Sequence, residues 1–317
     1  MTQTMKAVRL HRYGEPEVLV YEDAPRPDPQ AGELLIRVHA AGVNPVDWKT
    51  RSGRGVASRL PENPFPIIVG WDVSGVVEAV GEAVTGFKVG DAVYGMVRFP
   101  HLGSAYAEYV TAPAAHVAAK PRTLDHLHAA ALPLAALTAW QSLIEAVNLA
   151  AGQRILIHAA AGGVGHLAVQ LAKWKGAEVI GTGSGSSETF LRDLGVDHFI
   201  NYQTTRFEEV AREVDVVFDP LAGETRECSW QVLKKGGVLV SILRDLSAET
   251  AAAYGVQAKY VFVDPHAAQL AEIAALVDAG QLRPVIDAVF PLQDAAEAHR
   301  LGQQGHTHGK MVLQVVG

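Results

Sequence analysis

The sequence predicts an α/β protein in which a β-rich domain accompanies a doubly wound parallel sheet. Three observations indicate this class: short apolar runs separated by Gly, Pro and Asn before residue 125, alternating strand and helix patterns from there to residue 263, and a glycine-rich turn within that alternation. We expect residues 1–124, completed by 264–317, to form the β-rich domain. Residues 125–263 are expected to form the sheet domain.

The β-rich part is predicted from four short apolar runs. They are Met5–Leu10, Leu34–Ala41, Val73–Val80 and Asp91–Met96. Three prolines between residues 24 and 32 predict a turn. Two Val-Gly steps between residues 80 and 91 predict a tight connection between strands.

The glycine-rich turn lies between a predicted strand and a predicted helix. Residues 155–157 form an apolar run typical of a strand buried on both faces, and 164–174 follow with helical periodicity. A second apolar strand is predicted over 178–182. Counted back from Gly165, the fingerprint G-x-G-x-x-G begins with Ala160, so alanine replaces its first glycine. The turn predicts a dinucleotide site with its pyrophosphate on the helix N-terminus, held by Ala161, Gly162, Gly163, Val164 and Gly165.

The rest of the chain first continues and then leaves this alternation. Further strands are predicted over Asp215–Asp219, Gly237–Ile242 and Lys259–Val263. Asp264 and Pro265 then predict an N-cap and an N1 proline for a helix that ends at Gly280 and buries Leu270, Ile273, Ala274 and Val277. Strands predicted over Val285–Phe290 and Lys310–Val316 are expected to return to the β-rich domain.

Bulk properties exclude several classes of function. The 317 residues exceed the usual size of a single core, and 34 acidic against 27 basic residues argue against a nucleic-acid surface. No apolar run reaches the length of a membrane span, and the N-terminus lacks a signal-peptide core. The single cysteine, Cys228, rules out an internal disulfide. We expect a soluble cytoplasmic protein that binds neither nucleic acid nor membrane.

Several separated motifs together carry a family resemblance. They are Met5–Val8, Ala41–Asp47, Val84–Val93, Leu132–Ala139, the glycine-rich turn and Gly309–Leu313. With these motifs in this order, the chain resembles the medium-chain dehydrogenase/reductase superfamily, in its zinc-independent quinone oxidoreductase (zeta-crystallin-like) branch. The resemblance implies a GroES-like β domain, made from both chain ends, around a Rossmann domain, with the active site in the cleft between them.

The residues present argue against a zinc ion. Catalytic zinc needs three protein ligands, and zinc-dependent relatives place a cysteine where this chain has Asn44 and a His-Glu pair where it has Trp71 and Asp72. A structural zinc lobe needs four cysteines. His306 and His308 are expected to form a solvated turn. We therefore predict no metal ion.

Without a metal, the resemblance implies hydride delivery from reduced nicotinamide to a quinone, an enal or an enone. In the enone version, hydride reaches the β-carbon, the developing enolate oxygen needs a donor, and the α-carbon is then protonated. Two alternatives stay open. One is a non-catalytic NADPH-binding redox sensor or crystallin-like protein, and the other is a trans-acting enoyl reductase of lipid or polyketide assembly.

The predicted catalytic residues are Asn44, Asp47 and Lys49. By the resemblance, Asn44 contacts the nicotinamide ribose or a substrate oxygen, although its position before a proline equally favours a turn-capping role. Lys49 is a candidate to stabilise a developing oxyanion. The alternative is that it is a solvated lysine after the turn. No tyrosine lies between residues 51 and 66, so water is the simplest proton source. Trp48 and Trp71 are candidates for the cleft wall or for the core.

Other residues are predicted to bind the coenzyme near its nicotinamide end. Thr138 matches the family position that reaches the coenzyme there, although it also fits a bond within its own helix. Asp219 ends a strand at the carboxyl edge of the sheet and is a candidate ribose contact. Residues at the ends of later strands are expected to line the nicotinamide pocket or to belong to the sheet core. They are Ser241, Leu243, Phe262 and Val263.

The end of the second sheet strand bears on the choice of coenzyme. A carboxylate there would bind the ribose 2′-hydroxyl and repel a 2′-phosphate, but none occurs before Glu188. NADPH is therefore favoured, while the lack of a lysine or arginine in this loop keeps NADH open. Lys310, farther along the chain, is a candidate second positive charge for the coenzyme phosphate. The predicted contacts are Thr182, Gly183, Ser184 and Tyr202. We also expect a homodimer, with the strand predicted over 259–263 as the paired edge.

Overall fold

A computed structural model describes residues 3–305 and 307–316 and divides the chain into two compact units. Unit 1 takes residues up to 134, 264–280 and those from 284 onward, and unit 2 takes 135–263 and 281–283. The first boundary therefore follows residue 134 instead of the predicted 124. Alanines of a short helix just before the boundary pack on Ala40 and Val312, which keeps that helix in unit 1.

Unit 1 begins with eight strands and two helices. In chain order these are β1 (Thr4–Leu10), β2 (Leu19–Pro25), β3 (Glu33–Val43), α1 (Pro45–Arg51), β4 (Ile67–Ile68), β5 (Asp72–Val80), β6 (Ala92–Met96), β7 (Tyr109–Pro113), β8 (Val117–Ala119) and α2 (His126–Ala130). Short 3₁₀ turns lie at Pro16–Val18, Gly55–Arg59 and Ala114–His116.

The next segment carries the chain into unit 2. In order it contains α3 (Pro133–Trp140), a π-helical turn (Gln141–Ala146), β9 (Arg154–Ile157), α4 (Gly165–Trp174), β10 (Glu178–Gly183), α5 (Glu188–Asp193), β11 (His198–Asn201), α6 (Phe207–Val210), β12 (Val214–Asp219), α7 (Gly223–Ser229), β13 (Leu233–Ser241), α8 (Ala248–Tyr254) and β14 (Gln257–Tyr260). Short 3₁₀ turns lie at Gly185–Ser187 and Trp230–Val232.

The last segment completes unit 1. It contains α9 (Ala267–Asp278), β15 (Ile286–Pro291), a 3₁₀ turn (Leu292–Asp294), α10 (Ala295–Gln304) and β16 (Lys310–Gln314). Strand β16 pairs antiparallel with β3 and parallel with β15. The predicted return of the late strands to the β-rich domain is therefore confirmed.

Unit 1 is built on two sheets. The larger has the order β15-β16-β3-β5-β6-β8, with β7 also paired to β3, and the smaller has the order β2-β1-β4. One apolar core joins them, and it includes Leu10, Ile36, Val73 and Tyr106. This core holds the two ends of the described chain together, because β1 and β16 both contribute to it.

Unit 2 is one parallel sheet of six strands in the order β11-β10-β9-β12-β13-β14. Chain order runs outward in both directions from the β9–β12 pair, so the strand order reverses there. Ligands of doubly wound sheets bind outside the carboxyl ends of the strands at such a switch point. The predicted fold class is confirmed, and the glycine-rich turn follows β9 at this edge.

The predicted end of β14 and the predicted start of α9 are wrong. Strand β14 ends at Tyr260, because its neighbour β13 ends at Ser241, which pairs with Tyr260. Helix α9 is capped by His266, whose Nδ1 accepts the backbone N–H of Gln269 at 3.2 Å. The predicted Asp264–Pro265 cap therefore lies before the first turn. The predicted buried face of α9 is confirmed.

The first turn of α4 approaches the end of β9 closely. A Cβ added to Gly165 would lie 2.2 Å from the carbonyl oxygen of Ala159, whereas one added to Gly162 would meet that oxygen at 3.3 Å. Real Cβ atoms do not approach backbone oxygens as closely as the first distance. Gly165 is therefore required by packing, and Gly162 is not.

We expect Gly165→Ala to lower the free energy of unfolding by about 1–3 kcal/mol, since the turn or the helix must shift to admit the methyl group. Gly162→Ala is the matched control and should change it by less than about 1 kcal/mol. Urea unfolding followed by circular dichroism measures both. Equal stability of the two variants would contradict this packing argument.

Candidate coenzyme and active site

The turn after β9 is shaped to receive an anion. Helix α4 begins at Gly165 with Val164 as its N-cap residue, and that residue provides no side-chain cap. Residues 161–164 are half-buried, which leaves part of their backbone accessible. The N–H groups of Gly162 and His166 already donate to the carbonyls of Ala159 and Gly162. Other backbone N–H groups at a helix N-terminus without a side-chain cap, together with the helix dipole, favour a phosphate. The predicted residues Ala161 to Gly165 thus lie together at the switch point of the sheet.

His158, the first residue after β9, ties three elements of unit 2 together. Its ring lies 3.2 Å from Thr182 Oγ1 and 3.0 Å from Ser229 Oγ. Because Ser229 donates its proton to the carbonyl of Thr225, His158 Nε2–H donates to Ser229 and Nδ1 accepts from Thr182. The ring also packs edge-on against Phe207. Burial lowers the pKa of His158 to about 4, so the ring is neutral at pH 7.

The residues predicted to select the coenzyme lie together at the ends of β10 and β11. Thr182 is buried, and its hydroxyl proton is directed to His158. Ser184 Oγ lies 2.9 Å from Ser186 Oγ, so two hydroxyl groups share this loop. The backbone N–H of Tyr202 donates to the carbonyl of Gly183 at 3.1 Å, and the Tyr202 side chain is 53% exposed.

Asp219 lies at the end of β12, as predicted, but its carboxylate is already occupied. Oδ1 accepts the backbone N–H groups of Leu221 and Ala222 at 2.9 and 2.8 Å. Oδ2 accepts from Nε of Arg226 at 2.7 Å. The side chain is fully buried, so the structure directs it to this loop and to Arg226.

Ser241 and Leu243 lie next to that pair. Ser241 Oγ donates to the carbonyl of Asp219 at 2.7 Å and accepts the backbone N–H of Leu243 at 3.1 Å. Three other predicted contacts lie on other segments of the chain. Thr138 is buried on α3, Val263 is buried beyond β14, and Phe262 is 38% exposed.

In unit 1, Asn44 is the N-cap residue of α1. Its backbone N–H donates to Asp47 Oδ2 at 2.7 Å, and its side-chain Nδ2 donates to Asp72 Oδ2 at 2.8 Å. The side-chain cap of this turn thus comes from Asp47, whereas the Asn44 amide bonds across to Asp72. All three residues are buried.

Lys310, at the start of β16, completes this cluster. Its buried ammonium donates to the carbonyl of Val43 at 2.9 Å and to Asn44 Oδ1, and it lies 4.0 Å from Asp72 Oδ2. Burial lowers the pKa of Lys310 and raises the pKa of Asp72, and each group opposes the shift of the other. The prediction of Lys310 as a second charge for the coenzyme phosphate is wrong, because its ammonium is buried on these groups of unit 1.

A chain of hydrogen bonds leads from Arg51 to Asp47. Tyr106 donates its hydroxyl proton to Asp47 Oδ2 at 2.7 Å, and its oxygen lies 3.2 Å from Nε2 of His299. Nδ1 of that histidine faces Arg51 Nη1 at 3.5 Å. Burial and Arg51 lower the pKa of His299 to about 3, so the ring is neutral. Burial raises the pKa of Asp47 to about 7.

The other candidates of unit 1 lie apart from this cluster. Lys49 is exposed on α1. Trp71 is fully buried and donates its indole N–H to the carbonyl of His101, so it belongs to the core. Trp48 is half-buried and packs against the same core.

Sequence reasoning missed Asp72 and Lys310 as partners of Asn44 and Tyr106 as a partner of Asp47. In unit 2 it missed His158 and Arg226. Each is a polar side chain that the fold buries. The signal in the sequence was weak: His158 and Asp72 each stand at the end of an apolar run, which places them at a sheet edge. Nothing in the sequence indicates that Lys310 reaches Asn44.

Neither a metal site nor a membrane span is found in the part of the chain that the structure describes. Within residues 3–305 and 307–316, no group of three or more His, Cys, Asp or Glu side chains is placed to hold a metal ion. No helix in the same described ranges is both long and apolar enough to cross a bilayer. The predicted turn at His306 lies outside the described residues.

Comparison with family profiles identifies both parts of the chain. Residues 30–122 match the family described as "Alcohol dehydrogenase GroES-like domain", and residues 194–313 match the one described as "Zinc-binding dehydrogenase". The first match lies in unit 1. The second covers the later part of unit 2 and the segments that return to unit 1.

Curated relatives align with almost the whole chain. "Quinone oxidoreductase" of Sus scrofa is 34% identical over 98% of this chain and 97% of its own length. "NAD(P)H oxidoreductase RTN4IP1, mitochondrial" of Danio rerio is 32% identical, over 98% and 92%. "2-methylene-furan-3-one reductase" of Solanum lycopersicum is 34% identical, over 98% and 79%. Because one of these relatives is named as mitochondrial, the cytoplasmic location of this chain stays a prediction.

Solved structures share the same fold. The quinone oxidoreductase of Coxiella burnetii superposes with a TM-score of 0.94 and 38% identity, covering 99% of this chain and 100% of that one. A mycobacterial protein described as complexed with NADPH superposes with a TM-score of 0.88 and 29% identity, covering 98% and 100%.

The buried His158 makes a testable contribution to pH dependence. Its pKa is about 4 in the folded protein and about 6.5 when unfolded, so the unfolded chain binds the proton first as the pH falls. The contribution of His158 to the free energy of unfolding is therefore complete above about pH 6.5 and is lost as the pH falls toward 4. Both proteins should lose stability when the pH falls from 7 to 4.5. We expect the free energy of unfolding to fall by about 2–3 kcal/mol less in His158→Gln than in the unmodified chain.

Urea unfolding at both pH values measures this difference, and comparing the two losses cancels the contributions of other titrating groups. Identical losses in the two proteins would contradict a neutral, buried His158.

Proposed function

We propose that this chain, which belongs to the quinone oxidoreductase branch of the medium-chain dehydrogenase/reductase superfamily, transfers hydride from NADPH to a quinone or an α,β-unsaturated carbonyl compound. That it is an oxidoreductase follows from its relatives, which are named quinone oxidoreductase and NAD(P)H oxidoreductase. The acceptor and the coenzyme preference are the new parts of this proposal. The observation that carries it is the uncapped N-terminus of α4 at the switch point of unit 2.

The residues of unit 2 fit a dinucleotide coenzyme. The half-buried backbone of residues 161–164 would bind its pyrophosphate, and Gly165 allows the helix to begin there. Reduced nicotinamide supplies the hydride when it is bound. The proposed contacts toward the nicotinamide end are Thr138, Ser241, Leu243, Phe262 and Val263.

The preference for NADPH over NADH is argued from the ends of β10 and β11. No carboxylate is present from Thr182 to Ser187 to repel a 2′-phosphate. The hydroxyl groups of Ser184 and Ser186 are 2.9 Å apart in a loop where a phosphate would be expected to bind, and the exposed ring of Tyr202 is close by along β11. Support also comes from the similar mycobacterial protein, which is described with NADPH.

In unit 1, Asn44 is proposed to contact the nicotinamide ribose or a substrate oxygen. Its Oδ1 is held by Lys310 and one Nδ2–H by Asp72, so a second N–H is the group it has to donate. Asp47 acts on Asn44 through the cap of α1 and is a positioning residue. Lys49, exposed on the same helix, remains a candidate donor to a developing oxyanion.

We propose that the reaction uses no zinc ion. Asn44 and Asp72 bond to each other and to the Lys310 ammonium. They stand at the positions of two metal ligands in zinc-dependent relatives, and here their side chains bind a lysine instead. A metal ion would have to displace a buried ammonium. Chelators should therefore leave activity unchanged.

The homodimer is also a proposal. Strand β14 lies at the edge of the six-stranded sheet, and three aromatic side chains in and around it, Tyr254, Tyr260 and Phe262, are 38–48% exposed. An uncovered strand edge beside aromatic surface suits pairing with a second copy of the chain.

One assay series tests the proposed activity. Purified protein with NADPH or NADH should be given 1,4-quinones, 1,2-quinones, short enals and cyclic enones, with and without a chelator. We expect oxidation of NADPH in preference to NADH by at least one acceptor class, with no chelator effect. Tight NADPH binding without turnover by any acceptor would instead favour a redox sensor, and turnover only of acyl carrier-bound enoyl groups would favour a trans-acting reductase.

Gly162→Val tests the assignment of the turn. The nearest atom that a Cβ at this position would meet is Ala159 O, at 3.3 Å, a contact that a shift of a few tenths of an ångström relieves. The added bulk would occupy the space where the pyrophosphate must approach the backbone. We expect NADPH affinity to fall by more than about a hundredfold in a fluorescence titration, with the melting temperature of the coenzyme-free protein nearly unchanged.

An exposed replacement in the same unit, Arg212→Ala, is the control and should bind NADPH normally. Normal NADPH binding by Gly162→Val would show that the coenzyme binds elsewhere.

A further inference from the structure

Arg226 bonds to three successive residues of the loop that follows β13. Residues 243–245 connect β13 to the segment before α8, and backbone carbonyls of all three accept hydrogen bonds from Arg226. The distances are 3.2 Å from Leu243, 2.9 Å from Arg244 and 3.2 Å from Asp245. Asp245 has a φ of +68°, in the left-handed region that is uncommon for residues other than glycine, although aspartate adopts it more often than most.

Arg226 has no donor to spare. Its Nε donates to Asp219 at 2.7 Å, Nη1 to the carbonyls of Arg244 and Asp245, and Nη2 to Ser241 Oγ at 2.9 Å and to the carbonyl of Leu243. Five N–H groups therefore meet five acceptors, and the residue is 3% exposed. A buried guanidinium so fully bonded fixes the position of every group it touches.

The same group of bonds holds a strained residue on the other side. Ala222, just before α7, has φ +60° and ψ −160°, a region that is essentially restricted to glycine. Its N–H is held by the carboxylate of Asp219, which is in turn paired with Arg226. Backbone strain of this kind persists only where surrounding bonds over-determine it, and it is concentrated at ligand-binding sites.

We propose that Arg226 is a positioning residue for hydride transfer: it sets the place of residues 243–245 relative to the ends of β12 and β13, and thereby the shape of the nicotinamide pocket. This inference rests on the proposed function, because Ser241 and Leu243 are proposed pocket residues. Arg226 itself is 3% exposed and directs its N–H groups to protein acceptors, so its proposed role is to position these residues and not to contact coenzyme or substrate. Lysine cannot replace it, since one ammonium has three donors and no planar fork.

The consequence for kinetics is specific. Most coenzyme affinity is expected from the pyrophosphate turn and the 2′-phosphate loop, whereas the five N–H groups of Arg226 all donate to other residues. A displaced loop should therefore misplace the nicotinamide while the coenzyme still binds. A shift of about 1 Å in a positioning group can lower the rate by about a hundredfold.

The test compares Arg226→Lys with Arg212→Lys, the same change at an exposed arginine of unit 2. Arg226→Lys keeps a charge beside Asp219, which favours folding. We expect it to lower kcat by about tenfold to a hundredfold while KM for NADPH changes by less than about threefold. The control should match the unmodified chain in both constants. Unchanged kcat in Arg226→Lys would overturn the proposal.

Chemical rescue separates positioning from general destabilisation. In Arg226→Ala, guanidinium chloride at millimolar concentration should restore kcat along a saturating curve, whereas sodium chloride at equal ionic strength should not. Loss of activity that guanidinium does not restore, accompanied by a lowered melting temperature, would assign Arg226 a purely structural role and contradict the proposal.

Hydrogen exchange distinguishes failure of this inference from failure of the proposed function. Amides of residues 243–246 should exchange faster in Arg226→Lys than in the unmodified chain, while those of β9 stay protected. If none of the acceptors supports NADPH oxidation by the unmodified chain, the proposed function fails. Hydrogen exchange alone then decides whether Arg226 positions the loop. Unchanged exchange in the loop would overturn that part whether or not the protein is active.

Discussion

The close approach of helix α4 to the end of strand β9 is the constraint on which the coenzyme site depends. The helix can begin there only because Gly165 has no side chain, since a Cβ would lie 2.2 Å from the carbonyl oxygen of Ala159. This contact directs the helix N-terminus and its backbone N–H groups toward the switch point of the sheet. The neutral ring of His158 then ties the same point to β10 and α7. The proposed anion site at this turn thus depends on packing.

Buried charges shape the rest of both candidate sites. Burial of an ion is costly unless its partners are close and its hydrogen bonds are complete. Lys310 meets this condition with Val43, Asn44 and Asp72, and Arg226 meets it with Asp219 and the loop after β13. Each ion pair also fixes the orientation of a neighbouring group, which is the Asn44 amide beside Lys310 and the backbone of the loop beside Arg226. The amide of Asn44 is fixed by a cation on its oxygen and a carboxylate on its nitrogen.

The sequence was sufficient for the fold class, the glycine-rich turn and the return of the late strands, because each depends on local apolar periodicity or on turn glycines. It was not sufficient for contacts between distant segments. Lys310 reaches Asn44 across 266 positions of the chain, and no local pattern records such a contact. The cap of α9 was misplaced because a histidine took the role that Asp264 was expected to have. Asp219 was placed correctly, but its partner Arg226 depends on how α7 packs.

The central claim is that the backbone of the turn between β9 and α4 binds the pyrophosphate of a reduced nicotinamide coenzyme. A crystal structure of the full chain grown with saturating NADPH tests it most directly. The account predicts diphosphate oxygens within about 3 Å of backbone nitrogens between residues 161 and 165, with the 2′-phosphate beside Ser184. A coenzyme bound at another place, or a turn that stays empty at saturating NADPH, would contradict it.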